Sequence, residues 1–432
     1  MTYEQTLDYL YRCFPMFQKI GSKAYKAGLE TTRLLDDYLN MPHRTYQTIH
    51  VGGTNGKGSV SHSLAAVLQS AGYKVGLYTS PHLVDFSERI RVNGEPVDKS
   101  YVVEFIRAHR LFFEPLSPSF FELTTAMAFS YFAEMNVDVA VIEVGLGGRL
   151  DCTNIITPQL SIITNISFDH TALLGDTLSK IAYEKAGIIK PHIPVVIGES
   201  NAESSPVFSQ RANEVNAPIY FADVSHMNPV LSAKRDEEGY WVLETLYLKR
   251  VRLGLKGHCQ LSNAATILCA LDRLIEQGFL ITNESIDQGL WDVVRLTGLR
   301  GRWEVLGNAP RIICDTGHNE AGIRQIVTQL SNEHYHHLHF IIGVVNDKDI
   351  SAILGMLPTS AFYYFTQASV SRALPAKELK AKAESFGLQG DVFPSVYEAF
   401  NTAKEKSTPS DLIFIGGSTF TVADLLIYLN EG

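Results

Sequence analysis

The sequence predicts an α/β protein in two parts, each built on a mostly parallel sheet. Three observations carry that expectation. Continuous apolar runs such as Val137–Val144 and Leu160–Ile166 read as strands buried on both faces. Segments of helical periodicity lie between such runs, and strands alternating with helices imply parallel pairing through right-handed crossovers. A glycine-rich turn, Val51–Ser59 (VGGTNGKGS), sits between a β-prone run and a helix-spaced one.

Taken in order, residues 2–14 predict an amphipathic helix. A loop with Gly21 and Gly28 follows, then a short helix, Thr32–Leu39, stopped by Asn40 and Pro42. Tyr46–Val51 is the first strand and Lys74–Tyr78 the second. RIRVNGEPVD reads as a short β excursion turning at Asn93-Gly94. Helices are expected at Lys99–Phe113 and Phe121–Met135, ahead of the strands Val137–Val144 and Leu160–Ile166. Helix Thr177–Ile189, strand Pro194–Ile197, helix Ser204–Asn216 and strand Pro218–Phe221 continue the alternation. From Pro229 to Leu255 short alternating runs with a turn at Glu238-Gly239 predict a small β insertion, followed by helices at Leu261–Gln277 and Asn283–Val294. LTGLRGRWE (Leu296–Glu304) has glycine and charge without a sustained apolar period, so the expected domains are 1–295 and 303–432, joined by a linker at 296–302. Beyond it, strands near 311–315, 338–343, 361–366 and 411–415 alternate with helices near 320–331, 349–356, 376–385, 395–405 and 419–429. That is a second, smaller Rossmann-like α/β domain.

Length and composition bound the function. A chain of 432 residues has room for two or three domains with ample core. A net charge of −9 with no long basic run argues against nucleic-acid binding, while leaving anionic small substrates open. No apolar run approaches the roughly 20 residues of a membrane span, and MTYEQTLDYLYRCF is not a secretory signal. Five scattered cysteines (Cys13, Cys152, Cys259, Cys269 and Cys314), without C-x-x-C spacing, fit reduced thiols in a cytoplasm. Cys152, beside a glycine-rich stretch, reads as a bystander.

The glycine turn is where a phosphate belongs. Glycines let backbone N–H groups approach it, and the helix N-terminus adds partial positive charge. Lys57 can reach the terminal phosphates, and a hydroxyl at Ser59 or Thr54 can serve phosphate or Mg2+. The first domain is therefore expected to be P-loop-type, although Val51 stands where the strict pattern has glycine and Gly58 separates Lys57 from Ser59. A strand–turn–helix with surplus glycine is the plainer alternative.

Ligands of parallel sheets bind beyond the carboxyl ends of strands. Glu143 closes one such strand, ahead of Gly145, Gly147 and Gly148, and is well placed to hold Mg2+. Asp169 and His170 follow the next strand, so His170 is a metal or phosphate candidate, against a structural histidine in a turn. Lys185 falls on the apolar face marked by Leu178, Ile181, Ala182 and Ile189. A lysine there needs a partner or must lose its charge, unless it snorkels to solvent. In the second domain Asp315, His318 and Asn319 crowd a strand end, and Arg302 is a natural anion contact. If these face the nucleotide, the active site lies in the cleft between domains. The tract HYHHLHF (His334, His336, His337, His339) supplies neither carboxylate nor cysteine and reads as a solvated loop entering a strand, not as a metal site.

Together these residues resemble the folylpolyglutamate synthase/dihydrofolate synthase family of the Mur ligase superfamily. The likeness covers nearly the whole chain: AGLETTRLLDDYLNMP, VGGTNGKGSV, LYTSPHL with ERIRVNG, SFFELTT, IEVGLGGRLDCTN, FDHTALLG, YEKAGIIK, LSNAA, GRWE, DTGHN and GGSTFTVADLL. The resemblance implies an ATP-dependent ligase that adds L-glutamate to a carboxylate through an acyl phosphate. Thr54, Asn55, Gly56, Lys57, Gly58 and Ser59 would hold the ATP phosphates, and Asn263, Arg302 and Asp315 would contact the nucleotide. Ser80, Glu143 and His170 match Mg2+ ligands, and Lys185 matches a lysine carbamylated in this family to hold a second metal ion. The implied cofactors are thus one or two Mg2+ ions, with K+ a further candidate. His318 matches a histidine near the γ-phosphate. The pterin-side substrate would touch Gly28, Leu29 and Glu30, His82, Phe121 and Glu122, and the corner Arg149–Asp151. The family usually reads D-x-A-H-N-P, where this chain has Gly317 and Glu320 for the Ala and Pro.

The loop Thr79–Leu83 is similar to that of bifunctional bacterial members, so both dihydropteroate and reduced folates are expected acceptors. The competing readings are a folylpolyglutamate synthase alone, a cell-wall Mur ligase, and a nucleotide-binding switch without ligase chemistry. Only residues 1–44 precede the first strand, too few for the UDP-sugar domain of the second. The third leaves Arg302, Asp315, His318 and the apolar-face Lys185 unexplained. The resemblance further implies a monomer.

Overall fold

The computed structural model describes residues 1–15, 28–224, 229–246, 248, 250–346 and 350–431; Gly21 of the expected first loop lies outside them. The chain divides into two compact units, Met1–Leu255 with Cys259–Leu299, and Lys256–His258 with Arg300–Gly432.

The first unit contains α1 (Tyr3–Cys13), α2 (Glu30–Tyr38), β1 (Gln47–Gly52), α3 (Lys57–Ser70), β2 (Val75–Tyr78), β3 (Ile90–Val92), β4 (Glu95–Pro96), α4 (Lys99–Phe113), α5 (Phe120–Glu134), β5 (Val139–Glu143) and β6 (Leu160–Ile163). It continues through α6 (Thr171–Leu174), α7 (Leu178–Ala186), β7 (Val195–Ile197), α8 (Ser205–Glu214), β8 (Ile219–Phe221), β9 (Val230–Arg235), β10 (Trp241–Thr245), β11 (Val251–Arg252), α9 (Gln260–Glu276), α10 (Asn283–Trp291) and α11 (Val293–Thr297). Eight strands form one sheet in the order β4-β3-β2-β5-β1-β6-β7-β8, parallel from β2 to β8. The excursion Ile90–Pro96 pairs antiparallel and turns at Asn93 and Gly94, both with positive φ. The insertion is a separate three-stranded antiparallel sheet, β11-β10-β9.

Strands β1, β5 and β6 are buried along almost their whole length, as their unbroken apolar runs require. One face packs on α3, α9 and α10 through Val60, Leu64, Ile267, Leu271 and Leu290. The other carries an aromatic-rich layer from α1, α4 and α5, including Phe105, Phe113, Phe129 and Phe132. Helices α3 and α10 approach most closely at Gly289, where an added Cβ would lie 2.5 Å from the Val67 Cα.

The second unit contains β12 (Glu304–Asn308), β13 (Arg311–Cys314), α12 (Glu320–Leu330), β14 (Leu338–Ile342), α13 (Ser351–Leu354), β15 (Phe362–Phe365), α14 (Ala376–Glu384), β16 (Gln389–Val392), α15 (Val396–Lys406), β17 (Leu412–Gly416) and α16 (Thr419–Glu431). Its sheet runs β12-β13-β17-β14-β15-β16 and is parallel except at β12. Both edge strands depart from the expectation. Each holds a glycine and exposed positions, and β12 has a register shift between Val305 and Gly307, so neither shows a strand periodicity. Two first-unit elements also differ. The expected helix Asn283–Val294 is broken at Asp292, which caps α10 and begins α11. The strand expected to run to Ile166 ends at Ile163, because the next residues clasp the glycine turn.

Gly289→Ala is expected to lower the unfolding free energy by about 1–3 kcal/mol, because backbone at Val67 cannot yield as a side chain can. The gain of about 1 kcal/mol in helix propensity only partly offsets this. Urea unfolding of the two proteins checks it.

Candidate functional site

In the first unit, four adjacent central strands deliver polar groups at their carboxyl ends. In sheet order, β2 runs into Ser80, β5 ends on Glu143, β1 runs into the glycine turn, and β6 leads to Asp169 and His170.

The glycine turn is held from β6. The Thr54 N–H donates to the Asn165 carbonyl at 2.9 Å, and the Asn55 N–H to Asn165 Oδ1 at 3.0 Å. Thr164 Oγ1 donates to the Asn55 carbonyl at 2.6 Å, while Ser167 exchanges hydrogen bonds with the Thr54 hydroxyl. Gly53 has φ +133°, and a Cβ there would lie 1.9 Å from Thr164 Oγ1, so only glycine passes. Gly56, at φ +85°, begins α3 and leaves no room for a Cβ beside Asn263 Oδ1. The N–H groups of the first turn of α3, which includes Lys57, Gly58 and Ser59, thus stand at an anion-favouring helix start. Behind them, Gln260 joins Ser59 Oγ (3.3 Å) to Asn263 (2.8 Å).

Two lysines meet one carbonyl. Lys57 Nζ donates to the Gly53 and Thr54 carbonyls at 3.2 and 3.0 Å, and Lys185 Nζ donates to the same Gly53 carbonyl at 2.7 Å. Lys185 lies on the buried face of α7 with Ile181 and Ala182 and does not snorkel; it is 5% exposed. Burial, then the Lys57 charge, pulls its pKa down to about 7, against the pull of Asp169 and Asp151.

Glu143 is buried and accepts the Ser80 N–H at 3.1 Å, which ties the backbone leaving β2 to the end of β5. His170 arrives from the β6 side with a left-handed backbone, and its amide donates to Asp169 Oδ1 at 2.9 Å. The pairing of a carboxylate oxygen with a hydroxyl suits a hard divalent cation.

The residues expected on the pterin side form several contacts. Phe121 stacks on Tyr78 at 5.7 Å between centroids and fills the space that a Cβ on Gly145 would need. His82 accepts from the buried Arg89 Nε at 2.7 Å; desolvation, then Arg89, holds its pKa well below the usual range, so the imidazole is neutral. Glu122 caps α5 by accepting the Ser119 N–H at 2.7 Å, and also accepts from Thr32 of α2. Asp151 accepts the Leu146 and Thr153 N–H groups and the Thr153 hydroxyl, fixing the turn after Glu143. Both carboxylates thus shape their own segments. Arg149 pairs with Glu184 through two hydrogen bonds, 3.2 and 2.9 Å. Gly28, at φ +110°, and Leu29 lead into α2, with Glu30 exposed in its first turn. The nearby Cys152 thiol is pushed well up by burial and by Asp151 and Glu122, so it is no nucleophile.

In the second unit, Asp315 follows β13. Its oxygens accept the Trp303 and Gly317 N–H groups, each at 2.8 Å, and desolvation raises its pKa against the pull of Arg302. Arg302 bonds the Thr316 hydroxyl and the Gly301 carbonyl, and His318 Nδ1 lies 3.1 Å from the Thr316 carbonyl. Asn319 caps α12. Both departures from the family pattern have a local reason. A Cβ on Gly317 would meet Ile326 Cδ1 at 2.7 Å. Glu320 carries negative charge at the helix start and pairs with Arg324 at 2.8 Å.

Gln260, Thr164, Asn165 and Ser167 were missed by sequence reasoning. The signal for the last three was the polar run directly after a buried strand.

Residues 51–271 match the Mur ligase middle domain and residues 301–419 the Mur ligase glutamate ligase domain. The chain is 32% identical over 413 residues to the dihydrofolate synthase/folylpolyglutamate synthase of Bacillus subtilis, covering 93% of this chain and 94% of that protein. It is 34% identical over 420 residues to a probable bifunctional folylpolyglutamate synthase/dihydropteroate synthase of Haloferax volcanii, covering 92% of this chain but only 48% of that longer protein. The solved structure of E. coli FolC in complex with DHPP and ADP superposes with a TM-score of 0.86 at 29% identity, covering 100% of this chain and 98% of that one.

Because the folded-state pKa of Lys185 is lowered from 10.5 to about 7, the unfolded chain binds the extra proton between those values. The resulting cost to stability, on the order of a few kcal/mol, is full below about pH 7 and disappears as pH rises toward 10.5. Lys185→Met is therefore expected to gain stability relative to wild type at pH 7 and to lose most of that advantage by pH 9.5, as read by urea unfolding in CO2-free buffer.

Proposed function

The chain belongs to the folylpolyglutamate synthase/dihydrofolate synthase family of the Mur ligases, and on that footing we propose that it joins L-glutamate first to dihydropteroate and then to tetrahydrofolate and its polyglutamates. It is an ATP-dependent carboxylate–amine ligase that forms ADP and phosphate. The observation that carries the reading is the convergence of Ser80, Glu143 and the Lys57 turn at the ends of neighbouring strands, with the buried Lys185 behind them.

A carboxylate is a poor acyl donor, since an oxygen would have to leave as oxide. The substrate carboxylate attacks the γ-phosphorus of ATP, the bond to the bridging oxygen breaks, and ADP leaves. The neutral amine of glutamate then attacks the acyl carbon, and the tetrahedral intermediate expels phosphate to leave an amide. The chain's part is placement and charge. Gly56, Lys57, Gly58 and Ser59 cradle the phosphates, with Thr54 and Asn55 holding the turn in shape. Asn263 contacts the nucleotide, while Arg302, Asp315 and His318 form a separate polar group at a strand end of the second unit. Glu143 and Ser80, with His170, offer oxygen and imidazole donors for Mg2+, which when bound neutralises phosphate charge. Phe121, His82, Arg149 and the start of α2 line the pterin side, where Glu122 and Asp151 act mainly by holding that wall.

Lys185 supports a carbamate. With a pKa near 7 a large share of the amine is neutral at physiological pH, and a neutral amine adds to CO2 with loss of a proton. The product is an anion, suited to a second Mg2+ or to K+, and it replaces a buried cation beside Lys57 with an attractive partner. A monomeric chain in the cytoplasm fits the five free thiols and the absence, among the described residues, of any helix long and apolar enough to cross a membrane.

Lys57→Ala is expected to lower glutamate-dependent phosphate release by at least about a hundredfold; near-normal release would sink the assignment. With wild-type protein, ATP, Mg2+ and L-glutamate, phosphate release is expected with either dihydropteroate or tetrahydrofolate. Release with the folate alone would make this a folylpolyglutamate synthase only.

A further inference from the structure

The histidine tract before β14 was set aside on sequence because it offers no carboxylate. The fold supplies one. Strand β17 lies parallel to β14 with Leu412 opposite Leu338, so the residues entering the two strands, Asp411 and His337, lie side by side. Three hydrogen bonds fix the approach: the His336 N–H to the Ser410 carbonyl, the Leu412 N–H to the His337 carbonyl, and the His337 N–H to Asp411 Oδ1, each at 2.9 Å.

We propose that His336, His337 and Asp411 form a site for a divalent transition-metal ion of the Zn2+ type at the amino edge of the second unit's sheet. One ligand atom from each residue lies within 4.8 Å of the other two. Successive residues of a regular strand point to opposite faces, yet these two imidazole rings have centroids 4.1 Å apart. The irregular entry to β14 turns both to one side. A tetrahedral ion with bonds of about 2.1 Å holds its ligand atoms roughly 3.4 Å apart. Both imidazoles are exposed and can close that gap by rotation, whereas Asp411 is buried and fixed.

The carboxylate is oriented as a metal ligand should be. Oδ2 accepts the Thr408 N–H and hydroxyl at 2.6 and 2.8 Å, and His339 Nε2 stands 3.7 Å away. His339 is itself held by Tyr364, at 2.9 Å from Nδ1. Oδ1 accepts one backbone N–H and keeps a second lone pair. Two imidazoles with one carboxylate select Zn2+, Co2+, Ni2+ or Cu2+ over Mg2+. The site is thus distinct in chemistry from the oxygen-rich one at Glu143, and it lies at the opposite end of the second sheet from Asp315 and His318.

The test is calorimetric titration of untagged, full-length protein with Zn2+ at pH 7.5, in millimolar Mg2+ to fill hard-cation sites. Wild type is expected to bind one Zn2+ that the double variant His336→Ala/His337→Ala does not, with affinity there falling by tenfold or more. Because both histidines are exposed, that variant should keep its far-ultraviolet spectrum and its thermal midpoint without metal. The single variants His336→Ala and His337→Ala supply a second reading, since each removes one exposed donor and leaves the Asp411 hydrogen bonds in place, and each is expected to weaken Zn2+ binding. Co2+ should give a tetrahedral visible spectrum in wild type only. Equal Zn2+ stoichiometry and affinity in wild type and the double variant, or no binding by wild type, would overturn the proposal.

Discussion

The carbonyl of Gly53 is the point on which the first unit's chemistry turns. Lys57 reaches it from the first turn of α3 and Lys185 from the buried face of α7. Their ammonium groups are therefore no more than about 6 Å apart, where two like charges repel by about 3 kcal/mol at an effective dielectric of 20. The peptide oxygen between them relieves only part of this. Such a site is poised for negative charge, which a phosphate over the turn would supply. The bonds from Thr164, Asn165 and Ser167 hold the turn from β6 and so fix the carbonyl at which the two lysines meet.

The carboxylates divide by what their oxygens already do. Glu122, Asp151 and Asp315 each accept at least two hydrogen bonds from the chain, mostly backbone N–H groups. Such an arrangement organises a turn. Glu143 differs in position, because it ends a central strand beside the glycine turn and accepts the Ser80 N–H from the end of the neighbouring strand. The first three hold the shape of their own segments.

What the sequence made legible follows from periodicity and from strand ends. The central strands, the hairpin at Asn93-Gly94 and the insertion were readable from apolar runs and turn residues, and Lys185 from its place on an apolar face. Parallel strands put their carboxyl ends on one edge, so Glu143, the turn and His170 could be grouped without coordinates. Three things were hidden. Edge strands β12 and β16 carry no apolar alternation because each is short, holds a glycine and has no fully buried position. The support of the turn by residues 164–167 is a hydrogen-bond pattern about 110 residues away in sequence. The companionship of His337 and Asp411 spans 74 residues and depends on the register of β14 against β17, which no local pattern encodes.

That register has a chemical consequence. In a parallel sheet every loop at the carboxyl edge follows a strand and every loop at the amino edge precedes one, so a single sheet presents two sets of side chains separated by the strand length. For β14, five residues long, the separation is roughly 15 Å. The carboxyl edge of the second unit carries Arg302 contacts, Asp315 and His318, a set suited to anionic oxygen. The amino edge carries imidazoles around one buried carboxylate, a set suited to a softer cation. Distance alone would not keep the two apart, since a divalent ion diffuses freely between them. Ligand type does: Mg2+ holds its waters against neutral imidazole and prefers oxygen donors, whereas a Zn2+-type ion gains most from nitrogen. Mg2+ therefore leaves the imidazole set to a softer ion, so the two edges of one sheet differ in the cation they favour.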